Sequence, residues 1–298
     1  MTSTELYQPP RLSEVIREQV KVTALSLRLP AIALAGLAAV VTMLSLSDFV
    51  RGRGGVEFAP ELSLIPAFVG ILLPIAVWQS EKRFGPGFFW TLPVDRVRHA
   101  LAKVFAGWIW LMIAVTGFVL WLLILALITK GNISGDEVVR LLPTSDHPRG
   151  TLDPSTLRTI RWVPNPTLWL VPFTAATGTY VLASAIAVGL RYPFRWIIGA
   201  VAGAFLVAAV GHGIGSDTFW LKLGHFLQTL LEGRFGIDAV LSARAESLKT
   251  LATLTTGQTV TVWRGLPVIS EWLAATLLWT GLGVAGLAAA LFRHREHR

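Results

Sequence analysis

Apolar residues run through this chain in six long stretches, each free of lysine, arginine, aspartate and glutamate. A helix that crosses a bilayer needs about 20 largely apolar residues. Prolines inside such helices are tolerated where neighbouring helices satisfy the freed carbonyl groups. The pattern therefore predicts an all-α integral membrane protein, a single domain over residues 1–298, with six transmembrane helices at residues 29–47, 62–79, 104–129, 168–190, 196–216 and 272–292.

The basic residues indicate how these spans are oriented, because lysine and arginine favour the cytoplasmic loops of membrane proteins. If both termini are cytoplasmic, the inner segments hold 14 lysines and arginines in 63 residues, and the outer segments hold 12 in 104. We therefore expect a multi-pass protein of the cell (plasma or inner) membrane with both termini in the cytoplasm. The inner segments are then residues 1–28, 80–103, 191–195 and 293–298, and the outer segments are residues 47–61, 130–167 and 217–267.

The segments outside the spans carry their own patterns. Residues 1–28 have no early apolar core, so we expect the first span itself to direct membrane insertion. Within them, Leu12, Ile16, Val20 and Leu27 share one face of a predicted amphipathic helix. This helix either lies flat on the inner membrane surface or docks on protein.

The two long outer loops differ in kind. Residues 130–167 are rich in proline, threonine, aspartate and arginine, and they predict an irregular loop. Residues 217–267 predict extracytoplasmic helices between spans five and six, the first around residues 219–230 and the second over roughly residues 237–254.

Composition removes several classes of function. Only 15% of the residues are charged, against about 25% in soluble domains. The net charge of +8 comes mostly from residues beside apolar segments, which fits anionic membrane lipid better than nucleic acid. The absence of cysteine excludes disulfides, thiol catalysis and cysteine-ligated metals. Because no lysine, arginine, aspartate or glutamate lies in the six stretches, ion-coupled transport and intramembrane catalysis lose support, and we assign no catalytic, cofactor-binding or metal-binding residue.

The segment between spans two and three is the most informative for function. It begins polar at Glu81, breaks at Gly85-Pro86-Gly87 and continues after Pro93 as a short amphipathic helix. Proline suits the first turn of a helix, where its missing N–H group would be unpaired anyway. Asp95 follows in that turn, where the helix dipole favours a negative charge. The predicted helix projects from the inner face and carries apolar Val94 and Val97 beside cationic Arg96 and Arg98.

This segment resembles the permeases of the type-2 ATP-binding-cassette (ABC) transporters, through Leu92-Pro93-Val94-x-Arg96 followed by Leu101-x-Lys103. In that family an amphipathic helix precedes span one, a coupling helix lies between spans two and three, and extracellular helices lie between spans five and six. The chain has a candidate for each, in that order. The long loop 130–167 and the Gly85–Gly87 break depart from the family pattern, so the subfamily and substrate stay open.

The resemblance implies a permease subunit that works by alternating access driven by a separate ATPase subunit. Because most members of the family export their substrates, it also implies an exporter. A largely uncharged pathway suits a hydrophobic or amphipathic substrate. ATP and magnesium would be bound by the partner, because the chain has no Gly-x-x-x-x-Gly-Lys-Ser/Thr loop. The chain itself would be no enzyme. The implied ATPase-binding residues are Phe88, Trp90, Leu92, Pro93, Val94, Asp95, Arg96 and Arg98.

Further partners and other interpretations remain open. The permease would pair with a second copy or a related chain, as a dimer. Small residues at Gly199 and Gly203, and at Ala31, Ala35 and Ala39, allow close helix approach, but such residues pack inside any bundle. Residues 81–103 could also be an ordinary basic loop held at the lipid headgroups. The rival functions are a non-transporting scaffold or accessory subunit of a larger membrane complex and, with less support, a membrane enzyme.

Overall fold

The computed structural model describes residues 12–52, 54–56, 63–79, 96–133, 136–142, 151–190 and 219–296, and between the last two ranges residues 195, 196, 198, 199, 202, 203 and 206. The described chain is mostly helical and includes one small sheet. Its longer helices are α1 (Leu12–Ser26), α2 (Arg28–Val50), α3 (Leu64–Gln79), α4 (Arg96–Ile128), α5 (Val171–Gly189), α6 (Phe219–Glu232) and α9 (Ile269–Glu296). The short elements are α7 (Ile237–Ser242), α8 (Ala245–Leu248), β1 (Glu137–Leu141), β2 (Arg158–Trp162), β3 (Lys249–Thr253) and β4 (Thr259–Trp263).

Four of the described helices are long and apolar enough to cross a bilayer. They coincide with the first, third, fourth and sixth predicted spans: Arg28–Val50, Val97–Ile128, Pro166–Gly189 and Ile269–Phe292. Helix α3, the second predicted span, has 16 residues with Pro74 inside it, fewer than the roughly 20 that a span needs. Most of the fifth predicted span lies outside the described residues.

Helix α5 packs against three of the other apolar helices, α3, α4 and α9. One core cluster joins Ala176 and Tyr180 of α5 with Leu111 and Val115 of α4. Against α3, the Thr179 hydroxyl donates a hydrogen bond of 3.0 Å to the Ala67 carbonyl. Since apolar side chains gain little by leaving lipid for protein, close packing and polar contacts of this kind hold apolar helices together in a membrane.

Helix α2 stands apart from that packing. None of its residues is buried, and Ile32 and four of its five leucines are exposed, Leu29 to 79%. A hydrogen bond of 2.9 Å from Trp121 Nε1 to Thr42 Oγ1 ties it to α4. Water is a poor solvent for so large an apolar surface, and bilayer hydrocarbon is a good one. The exposure of α2 therefore supports a membrane location.

A glycine permits the close approach of α4 and α5. The Tyr180 hydroxyl donates to the Val104 carbonyl at 2.7 Å, and a Cβ atom placed on Gly107 would overlap that hydroxyl. Farther along α4, a Cβ on Gly117 would meet nothing within 4 Å. The two glycines thus offer a matched pair for measuring the packing.

Gly107→Ala is expected to destabilise the folded protein by about 2 kcal/mol, because Tyr180 must shift and lose its hydrogen bond. Gly117→Ala should instead leave stability unchanged or raise it, since alanine is the better helix former. Thermal unfolding of the detergent-solubilised protein measures both. Adding Tyr180→Phe should rescue Gly107→Ala by removing the overlapping oxygen; equal melting temperatures for the two alanine variants would contradict the close approach.

The sheet corrects the expectation of an all-α chain. Its strand order is β2-β1-β4-β3, with antiparallel β1–β2 and β3–β4 hairpins joined by a parallel contact between β1 and β4. Loop 130–167, expected to be irregular, contains β1 and β2. In loop 217–267 the first predicted helix is present as α6, but the second gives way to β3 after Leu248.

Two residues with unusual backbone angles explain why the helix predicted over residues 237–254 is interrupted. Ala243 and Arg244 both have positive φ angles, 52° and 67°, and non-glycine residues adopt such angles mainly at single turn positions. The predicted helix is therefore broken into α7 and α8. Beyond it, Val139, Ala245, Leu248 and Trp263 form the core beneath the sheet.

The amphipathic N-terminal helix is present as α1, which packs against α4. In α1, Ile16 and Val20 of the predicted face are half-buried and Thr23 is buried, and Leu27, the residue that follows the helix, is buried too. Trp110 Nε1 of α4 donates to the Val20 carbonyl at 3.0 Å. These contacts dock α1 on α4, whereas its position relative to the membrane surface stays a prediction.

Candidate functional site: the lysine-bearing end of the helix bundle

Most of the predicted ATPase-binding residues lie outside the described part of the chain. Arg96 is the first residue of α4, and Arg98 lies in the first turn of that helix with an exposed side chain. The other six lie outside the described residues: Phe88, Trp90, Leu92, Pro93, Val94 and Asp95. What the structure describes is the pair of helices from which this segment departs and to which it returns.

These two helices are joined by a cation–π contact. Trp78 lies one residue before the end of α3, and the Lys103 ammonium nitrogen lies 4.7 Å from the centre of a Trp78 ring. The predicted third span begins at residue 104, whereas α4 begins at Arg96, so Lys103 falls inside the helix. Lys103 is only 6% exposed. A buried charge is costly unless it is compensated, and an aromatic face is one of the groups that can compensate a cation.

Four helices meet around this pair, which we name the Lys103–Trp78 clasp. Trp78 and Val104 pack against a cluster formed by Val188, Leu287 and Ala290. The end of α3, the beginning of α4, the end of α5 and the C-terminal half of α9 therefore come together at one end of the bundle. A displacement of residues 80–95 would reach this junction through the helix ends that flank them.

The clasp also lies beside polar contacts that hold α4 in place. Trp108 Nε1 donates to Thr177 Oγ1 of α5 at 3.2 Å. On another side, Gln19 Nε2 of α1 lies 3.5 Å from His99 Nδ1. The first turns of α4 are thus fixed between α5 and α1.

The exposed charges described at this end are of both signs. Arg17 and Lys21 of α1 are exposed, as is Arg98 of α4. Glu14 and Glu18 of α1 are exposed beside them, and Glu18 pairs with Lys21 at 2.8 Å. Cationic side chains at the end of an apolar bundle suit anionic lipid headgroups or an acidic partner surface.

The opposite end of the bundle carries the sheet, and there one carboxylate forms ion pairs with two arginines. Glu271, in the first turn of α9, accepts contacts from Arg234 Nε at 2.8 Å and Arg244 Nη1 at 2.7 Å. These two arginines come from the turns before and after α7. Leu168 and Trp272 pack together in the same region, so the sheet end is fastened to the beginnings of α5 and α9.

No set of three or more metal-ligating side chains comes together within the described ranges. The sequence motif contained Lys103, and Trp78 stood near a helix end, but no sequence signal paired these two residues. Comparisons with family models, curated proteins and solved structures found no match.

Proposed function

We propose that this chain is the membrane permease subunit of a type-2 ABC transporter, driven by a separate ATPase subunit. The observation that carries the proposal is the Leu-Pro-Val-x-Arg…Leu-x-Lys pattern of residues 92–103 in its structural setting. The last residue of the pattern, Lys103, is buried in the Lys103–Trp78 clasp. An ordinary basic loop held at the headgroups would have no need to bury its last lysine at a junction of four helices.

In this proposal the chain has six spans and both termini are cytoplasmic. Two features support the orientation: the higher density of lysine and arginine in the inner segments, and the exposed Arg17, Lys21 and Arg98 at the lysine-bearing end. That end would face the cytoplasm, where an ATPase subunit resides. The sheet would then be extracytoplasmic.

The proposed mechanism is a shift between two populations of the helix bundle. The partner binds ATP and magnesium, dimerises, and displaces the coupling segment, residues 88–98. The Lys103–Trp78 clasp passes that displacement to the ends of α5 and α9, because all four helices pack at the same junction. The pathway opens alternately to the two sides for a hydrophobic or amphipathic substrate, in the direction of export.

A second permease copy, or a related chain, completes the proposed transporter. Ala31, Ala35 and Ala39 of α2 are all exposed in the single chain, and so are Gly199 and Gly203. Small residues let helices of neighbouring subunits approach closely. Both stripes of small residues are therefore available to a second subunit. Cross-linking between two subunits identifies which stripe lies in the interface.

Co-purification tests the proposal. The chain is expressed together with an ABC ATPase encoded by a neighbouring gene, and the complex should survive size-exclusion chromatography and hydrolyse ATP in the presence of magnesium.

Thiol labelling tests the proposed orientation. Because the chain contains no cysteine, single cysteines introduced at residues 82 and 256 report on which side of the membrane each residue lies, without background labelling. A membrane-impermeant thiol reagent should label only position 256 in intact cells; labelling of position 82, or an ATPase that never co-purifies, would overturn the proposal.

A further inference from the structure

A cleft opens on the face of the sheet opposite its core. Its volume is about 340 Å³, near the lower end of the roughly 300–1,000 Å³ typical of small-molecule sites. Arg140 of β1 and Thr159 of β2 are register partners, and both are exposed. Because successive strand residues point to opposite faces, buried Val139 enters the core while Arg140 lines the cleft.

The walls of the cleft combine hydrogen-bond donors with an apolar surface. Thr159, Thr256 and Gln258 supply hydroxyl and amide groups, and Arg140 supplies the positive charge. Leu157 and Leu254 contribute the apolar part. None of the described side chains that line the cleft is acidic, so among the described lining residues no carboxylate neutralises the guanidinium.

Backbone contacts hold the two sides of the cleft at a set separation. Leu152 N donates to the Thr253 carbonyl, and Thr255 N donates to the Leu152 carbonyl, both at 2.9 Å. The neighbouring turn, Pro154–Thr156, is capped by Asp153, whose carboxylate accepts a 2.9 Å hydrogen bond from Ser155 N. Hydrogen bonds from Ser155 lower the pKa of Asp153. The backbone N–H of Ser155 contributes more to this shift than its side chain does. The cap is therefore complete at neutral pH and is lost only as acid protonates that carboxylate.

We propose that this cleft binds a small monocarboxylate with a short aliphatic chain. One arginine matches one negative charge, and its planar guanidinium pairs with a carboxylate through two parallel hydrogen bonds. The threonine and glutamine side chains can donate further hydrogen bonds, while Leu157 and Leu254 accept the aliphatic part. The proposal concerns the sheet end alone and stands independently of the transporter proposal.

Protection of an introduced thiol tests it on the purified full-length protein in detergent. In the Thr256→Cys variant the only thiol lies in the cleft, and in Thr261→Cys it lies outside the cleft, at an exposed position of β4. Alkylation by neutral iodoacetamide is timed with and without butyrate, which is too short to partition strongly into micelles. Butyrate should slow the reaction of Thr256→Cys and leave that of Thr261→Cys unchanged, and Gln258→Cys serves as a second reporter in the cleft.

Two arginine substitutions identify the group responsible. Arg140→Gln should lower the apparent butyrate affinity at least about tenfold, since it removes a charge-assisted pair of hydrogen bonds. Arg158→Gln, on the same hairpin but outside the cleft, should leave the affinity unchanged. Slowing by butylammonium to the same degree, protection that persists in Arg140→Gln, or no protection of either reporter would overturn the proposal.

Discussion

Replacing both Val94 and Arg96 with aspartate is expected to abolish co-purification of the ATPase while the permease itself stays folded. In the proposed interface these residues supply an apolar and a cationic contact to the partner. Interface anchors of this kind contribute about 2 kcal/mol or more each, so the pair of substitutions should weaken binding roughly a thousandfold. Size-exclusion chromatography of the co-expressed subunits, with the thermal unfolding of the permease measured in parallel, reads out both effects.

Arg158→Asp provides the matched control for that experiment. It introduces the same arginine-to-aspartate change in an exposed residue of β2, at the opposite end of the bundle. It should leave the complex intact, because no contact with a cytoplasmic partner is proposed for the sheet. If the complex forms equally well in the double aspartate variant, residues 88–98 are not the ATPase-binding surface, and the interpretation as a basic headgroup loop gains support.

Trp78→Leu is expected to destabilise the bundle by about 3 kcal/mol. The substitution empties part of the space beside Val188 and Leu287, and it removes the aromatic ring that faces the buried Lys103 ammonium. Removing one partner of a buried charged contact is costly because the remaining charge loses part of its compensation. Thermal or denaturant unfolding of the detergent-solubilised protein measures this loss.

Lys103→Met distinguishes the two contributions of Trp78 to stability, its contact with the lysine charge and its packing against the neighbouring helices. Alone, it should change stability little, because it removes a buried charge and a favourable contact together. In the Trp78→Leu background it should recover roughly 1–2 kcal/mol, since no cation is left without its ring. The same lysine substitution added to Trp121→Leu, whose indole contacts Thr42 of α2, should recover nothing. Additive effects of Trp78→Leu and Lys103→Met would show that the clasp contributes no coupling energy.

Much of the bundle could be predicted because its signals are local. Four of the six predicted spans recur as helices long enough to cross a bilayer, and the amphipathic face of α1 recurs as the face packed on α4. In each case the information lies within about 20 consecutive residues: hydrophobicity selects the solvent, and helical spacing selects the buried face. Helix α3 is the exception in length, because it has only 16 residues, with Pro74 inside it.

The sheet escaped prediction because its stabilising contacts are remote in sequence. Strand β1 pairs with β4 at Leu141 and Trp263, which are separated by the whole of α5 through α8. The strands are five residues long, too short for their alternation to outweigh the surrounding loop character. Residues 249–254 continue an apolar helical pattern, and only the backbone reversal at Ala243 and Arg244, followed by pairing with β4, makes them a strand.

The sequence by itself determined which parts of the chain prefer lipid, where its cations concentrate and which segment resembles a coupling helix, because hydropathy, charge and short motifs belong to consecutive residues. Only the tertiary structure decided that Lys103 meets Trp78, that α5 lies among α3, α4 and α9, and that two distant loops form one sheet with a cleft on its outer face. Those arrangements depend on which surfaces fit together across long separations. Close fits such as that of Gly107 and Tyr180 arise only when every partner is already in place.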